Sequence, residues 1–394
     1  VAHVSVGAVG GGPPHAVDPV GGIAPAGAGW TWEWWIGADD RWRVPAHEVA
    51  VRQSRVGGAP VVETAMRVPG GDALERVYGV AGAGDPLVIE IENRSPAPFA
   101  VAFVVRGARR VAVDGSQVHI DDAFVLSTSR PPSRWARTVG APVLLPVTTG
   151  RAEVGPFASV RDRSGRLEVA FLHPVAHRTT LRAVLTRGRD GSARDPATLP
   201  DVATVVGGWA RLLDHGMRVE VPDDSIAARI RAARSEVLLR AHARLPGPLV
   251  VAALEDWGFD AEAGAAWRRL GIRDRRRAAT RPEPSSWRDA ARLADDAAFL
   301  VAARRLLVDD RPGTRDVTLL AEWPAAWRGL PLEVRDAPVA GGTLSFAIRW
   351  HGARPALLWD APGGVTITVP VLDPHWTSSV PRGEALLAPV EGAA

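Results

Sequence analysis

Carboxylates set beside tryptophans are the residues of this chain with the clearest chemical use. Glu255 and Asp256 precede Trp257 at the end of an apolar run, Leu249–Trp257. Hydrolysis of a glycosidic bond usually needs two carboxylates flanking the bond that breaks. An indole beside them offers a flat, partly apolar face to a sugar ring. Glu255 and Asp256 are therefore the candidate acid and base, with Trp257 as a candidate binding residue; a solvated helix end accounts for the same three residues. A second group lies in Trp30–Trp42 (WTWEWWIGADDRW). Strand alternation puts Trp30, Trp32 and Trp34 on one face and Thr31, Glu33 and Trp35 on the other. Trp32 and Trp34 are candidates for stacking, and Glu33 and Asp39 for bonding hydroxyls. Turn chemistry explains Asp39 and Asp40 as well. Trp350-His351 and Trp359-Asp360 lie at strand ends near the C-terminus, where Trp350 and His351 are candidate sugar contacts and a structural histidine is the competing reading.

Other chemistries find less support. His173 and His177 are four residues apart, but Pro174 marks an extended segment, and that spacing serves a metal on a helix. No metal or cofactor is expected, since the chain has no Cys, phosphate-binding glycine loop, nucleophile elbow or dinucleotide fingerprint. The formal net charge is +3, with no lysine and one tyrosine, Tyr78. Little titrates between His and Arg, so the chain stays positive to high pH without any clustered basic face. Nucleic acid is therefore not an expected partner. The run Arg273, Arg275, Arg276 and Arg277 lacks interleaved aromatics and reads as a solvated loop or an anion contact. Fifteen Trp against eight Phe fit GC-rich coding as well as sugar stacking. No apolar run is long enough to span a bilayer, so no membrane is expected. The N-terminal VAHVSVGAVGGGPPH has no basic start followed by an apolar core, so the cytoplasm is the expected compartment.

The elements that would position these residues come in three blocks. Residues 1–29, rich in Gly, Pro and Ala, read as an arm or a meandering edge. Residues 30–221 read as a β-sandwich: short runs such as His47–Val56, Pro60–Val68, Leu87–Glu92, Phe99–Arg106 and Arg166–His173 are separated by Gly-Gly, Asp-Gly and Ser-Gly turns. Residues 222–312 read as helices. Asp223 or Asp224 caps the first, Pro246-Gly247-Pro248 ends it, and Leu249–Trp257 is the second. Asp260 caps the third, and one long helix runs from about Ser286 to Val308. Residues 313–394 return to strands, with Leu344, Phe346 and Ile348 alternating, and end in an Ala/Pro-rich tail. The expected class is multidomain β plus α.

Three stretches together resemble the six-hairpin glycosidase group, glucoamylase-like enzymes with an N-terminal β-sandwich and an (α/α) toroid. They are Trp30–Trp42 with Ala59–Thr64 and Glu92–Pro96; Val251–Leu270 (VAALEDWGFDAEAGAAWRRL); and Gly342–Asp360 (GTLSFAIRWHGARPALLWD). The resemblance implies carbohydrate metabolism, a glucan or oligosaccharide ligand, and hydrolysis by carboxylate acid/base chemistry. Twelve helices with their loops need roughly 190 residues, whereas 223–308 holds 86. The implied toroid is therefore incomplete, about two hairpins, and no family catalytic motif maps onto it. The alternative is a non-catalytic carbohydrate-binding or structural subunit, its bare helix faces covered by the sandwich, a protein partner or a second copy.

Overall fold

The computed structural model describes residues 3–188, 193–242, 245–275, 280–310 and 313–390. Arg276 and Arg277 of the basic run lie outside them. The chain is mixed β and α, mostly β, and divides into two compact units, residues 1–207 and 208–394.

Unit 1 consists of two antiparallel sheets. An eight-stranded sheet runs in the order Val4–Val6, His15–Val17, Ile23–Ala24, Thr31–Gly37, Phe99–Ala108, Leu167–Val175, Arg134–Val139, with Trp42–Arg43 added to Thr31–Gly37. A nine-stranded sheet runs from Val160–Arg161 through Arg110–Asp114, Gln117–Ile120, Phe124–Thr128, Thr180–Arg187, Leu87–Asn93, Gly71–Gly79 and Val61–Val68 to Val51–Arg55. Alternate residues of both sheets meet in one core: Trp32, Phe103 and Phe171 from the first, Met66, Ile89 and Leu126 from the second. Trp35 points the other way, into a smaller cluster with Val104, Val143 and Leu172. Of the two readings of residues 1–29, the described part follows the meandering edge and not the arm. Three strands of two or three residues from this stretch extend the eight-stranded sheet, with Val6 and Val17 fully buried. Strands this short, broken by Gly and Pro, leave too few alternations to be read locally.

The core of unit 1 holds one carboxyl that sequence reading passed over. Glu75 shares the inward face of Gly71–Gly79 with Ala73 and Val77, opposite Thr64 on one side and Ile91 on the other. It is fully buried, and neither carboxyl oxygen has a hydrogen-bond partner. Burial, with the nearby charge of Asp18, pushes it well above the usual carboxylate range. Gly21 closes over it at φ +88°, where an added Cβ would lie 2.0 Å from a Glu75 oxygen.

Unit 2 combines helices and sheets that sequence reading assigned to separate domains. A five-stranded sheet runs Arg218–Glu220, Leu332–Val339, Gly342–His351, Arg354–Asp360, Arg382–Leu386. Arg218–Glu220, at the end of the stretch 30–221 read as the sandwich domain, pairs with Leu332–Val339. A four-stranded sheet contains a parallel pair, Asp316–Leu319 with Thr366–Val369. The helices Asp224–Ala241, Pro248–Asp256, Asp260–Arg269 and Asp296–Leu307 form a cluster in which the first two each touch the other three. Such mutual packing is a local bundle, and a toroid is not shown.

Capping chemistry sets the helix ends. Asp223 accepts from the backbone N–H of Ser225 and Ile226, and Pro248 opens its helix at the first turn. Gly258, at φ +78°, ends that helix. Asp260 is not a cap but the first helical residue, Phe259 holding the cap position. The long final helix is two, Trp287–Ala291 and Asp296–Leu307, because Asp295 caps the second by accepting from Ala298 N–H. No helix among the described residues is long and apolar enough to cross a membrane.

Candidate functional site

Glu255 and Asp256 occupy the last turn of Pro248–Asp256. Consecutive helical residues point about 100° apart, so the two carboxyls do not face each other across a bond. Glu255 is exposed; partial burial and the Asp256 charge raise its carboxyl. Burial also raises Asp256, against the opposing effect of Arg281, whose guanidinium donates to both carboxyl oxygens at 2.7 and 2.6 Å. The loop carrying Arg281 is tied down again where Glu283 pairs with Arg305 at 3.0 Å. Behind Asp256, Arg304 donates to Asp310 at 2.6 Å and to the Pro338 carbonyl. Asp256 thus belongs to an acid–arginine network that ties a loop to the helix bundle, and Glu255 lies exposed beside it.

The tryptophans expected to stack on sugars are interior. Trp257 is fully buried and donates its indole N–H to the Leu300 carbonyl at 2.9 Å. Trp32 and Trp34 are 0% and 1% exposed, one packed 4.4 Å from the Phe103 ring, the other donating to the Val20 carbonyl. A ring enclosed on both faces has none left for a ligand, and this corrects the expectation for all three. Glu33 lies on the opposite face of its strand, paired with Arg106 at 2.7 Å and accepting from the Trp35 indole. Asp39 is exposed in the turn where its neighbour Asp40 pairs with Arg43. Trp350 is half-buried, donating to the Leu330 carbonyl at 2.9 Å and packing 6.0 Å from Trp323. His351 is exposed at the strand end. Histidine 173, read earlier as a strand-end residue, is buried, and its imidazole is pushed down to about 4 by burial and by Arg130.

A different arrangement arises on the outer face of the five-stranded sheet. The register places Ser345 opposite Asp360, and Asp360 opposite Arg382. It also sets Glu333 against Ala347, and Ala347 against Leu358. These side chains and a bulge at residues 335–336 line an open cleft of about 370 Å³. In the bulge Asp336 adopts φ +58°, and its N–H donates to Ser345 Oγ at 3.0 Å. A left-handed Asp is a strained choice that turns its carboxyl out of the ladder.

The rim of the cleft is charged. Glu333 accepts from Arg335 and from Arg349 (2.7 Å), which hold its carboxyl below the usual range. Asp360 accepts from Arg382, and Asp336 from Arg218 at 2.5 Å. Ala347 and Leu358 form an apolar floor. On the inner face Gly383 lies against the Trp359 ring, where an added Cβ would be 2.5 Å from Cζ2. Trp359 packs edge-on against Trp376 at 5.2 Å and donates to the Val380 carbonyl. Of this group only Trp359 and Asp360 stand out in the sequence. The alternation Glu333-Val334-Arg335 is a faint signal for the rest, because strand pairing across some fifty residues brings them together.

No protein-family model matches the sequence, and no curated protein matches it. Among solved structures, that of the family GH92 α-mannosidase from Bacteroides thetaiotaomicron aligns with 61% of this chain and 39% of its own, at 8% identity and a TM-score of 0.26. The match spans well under half of the mannosidase, and a likeness this low carries no argument about activity.

Proposed function

We propose that this protein binds an oligosaccharide without cleaving it, and that the ligand lies in the cleft on the outer face of the five-stranded sheet. The observation that carries the reading is the lining itself. Three carboxylates and two guanidinium groups surround Ser345 over the apolar floor of Ala347 and Leu358. Carboxylates accept from hydroxyls, and guanidinium groups donate to ring and hydroxyl oxygens. The apolar floor suits the C–H face of a sugar. The Asp360–Arg382 pair is solvent-exposed on both sides, by 53% and 79%, whereas Glu333 is 16% exposed beside Arg335. Exposed pairs contribute only about 0–1 kcal/mol, so hydroxyls can displace them at little cost.

The test is a titration with α- and β-linked oligosaccharides followed by tryptophan emission, with Trp359 as the reporter beside the cleft. The expected result is a saturable change with one linkage class, abolished by Asp360→Ala. No change in emission and no heat in calorimetry with any of them would refute the reading.

A second reading keeps hydrolysis, because a raised and accessible Glu255 suits a general acid. It expects reducing ends to form on incubation with the bound oligosaccharide, and Glu255→Gln to stop their formation. Intact ligand after prolonged incubation leaves binding alone.

A further inference from the structure

Unit 1 carries a second cleft, of about 380 Å³, lined by Arg109, Arg110, Arg161, Arg163, Asp121 and Asp122. One wall is the start of Arg110–Asp114 and the turn between Gln117–Ile120 and Phe124–Thr128. Asp121 accepts from the backbone N–H of Arg109 and Arg110 at 2.7 and 2.8 Å, so its carboxylate is engaged with the main chain. Asp122 neutralises Arg110 at 2.5 Å. Asp121 and Asp122 are consecutive non-glycine residues at φ +53° and +54°. Asp tolerates this conformation, and the two residues form the turn between the paired strands Gln117–Ile120 and Phe124–Thr128.

The opposite wall is the turn after Val160–Arg161. There Asp162 accepts from the Ser164 hydroxyl at 2.6 Å and from Arg166 N–H at 2.8 Å. Its own N–H donates to the Arg109 carbonyl at 2.8 Å, which joins the two walls. Arg161 and Arg163 flank it. The guanidinium groups of Arg109, Arg161 and Arg163 are exposed and have no acidic partner among the described residues. A neighbouring cleft of about 530 Å³ shares Arg110 and Asp122 and continues past Ala112 and His119.

We propose that this groove binds a small organic phosphate ester, the phosphate among Arg109, Arg161 and Arg163 and the ester group along Ala112 and His119. Three guanidinium groups with free donor forks match a tetrahedral dianion better than a single carboxylate. The backbone ties engage Asp121 and Asp162, which leaves the donor forks of Arg109, Arg161 and Arg163 without a carboxylate partner among the described residues. The adjoining cleft provides room for the rest of the molecule.

Calorimetry of the full chain with phenyl phosphate and with inorganic phosphate tests this. The expected result is saturable binding of phenyl phosphate with Kd below about 1 mM, tighter than that of inorganic phosphate. Arg161→Ala and Arg163→Ala change exposed side chains, one on the two-residue edge strand and one in the turn after it, and each is expected to weaken binding about tenfold. Absence of saturable binding overturns the proposal, as does binding indifferent to both substitutions. Capture of a single-stranded oligonucleotide by a protein that ignores phenyl phosphate would assign the cluster to a nucleic-acid backbone and overturn it too.

Discussion

Replacing Glu75 by Gln should change how stability depends on pH more than stability itself. The folded carboxyl is buried without a partner and keeps its proton above the ordinary glutamate value of 4.5. The unfolded chain releases that proton near 4.5. Above this pH, unfolding therefore releases a proton, and rising pH favours the unfolded state. The slope is about 1.4 kcal/mol per pH unit for one group. It begins near pH 4.5 and ends where the folded Glu75 itself titrates. Glutamine has no such proton. Its buried amide adds a cost of its own, but that cost is the same at every pH. The stability difference between Glu75→Gln and the parent should thus move in the variant's favour as pH rises above about 5, for as long as the folded Glu75 keeps its proton. Urea unfolding, read at the amides of Val61–Val68 by hydrogen exchange, reports unit 1 alone. A difference that stays constant as pH rises above about 5 would refute the reasoning and give Glu75 a folded-state value close to its ordinary one.

Other outcomes follow from the same structure. His173 sits with its imidazole pushed down to about 4, so as pH falls from 6.5 the unfolded chain takes up a proton first and stability is lost, by about 3 kcal/mol over that window. His173→Gln should remove this share of acid lability in denaturant titrations between those pH values. Trp32→Ala empties a fully buried site and should destabilise unit 1 by about 3–5 kcal/mol in urea unfolding. Gly383→Ala would place a methyl 2.5 Å from the Trp359 ring, costing about 1–3 kcal/mol and shifting tryptophan emission.

Much of the fold was legible where alternation is long, and little of the site was. Trp30, Trp32 and Trp34 share a face as their spacing requires. Glu33 on the other face was the available sign that the tryptophans point inward, since a half-buried strand turns its apolar side to the core. Helix starts marked by Asp223 and Pro248 were readable because capping is local. The break at Asp295 was hidden because apolar spacing continues through it. The strands of residues 4–24 are too short for any period. Arg218–Glu220 finds its partner more than a hundred residues away, and no local pattern announces that. The cleft residues have the same cause: Glu333, Asp360 and Arg382 are ordinary exposed residues until register aligns three strands.

The most direct test of the account compares two variants in calorimetry against the oligosaccharide that the parent protein binds. The double variant Glu333→Ala/Asp360→Ala removes two carboxylates of the cleft, and Glu255→Gln changes the exposed acid of the helix bundle. The first should lose binding at least tenfold, about 1.4 kcal/mol, and the second should bind as the parent does. Binding retained by the cleft variant and lost by Glu255→Gln would contradict it and move the site to the end of the helix Pro248–Asp256.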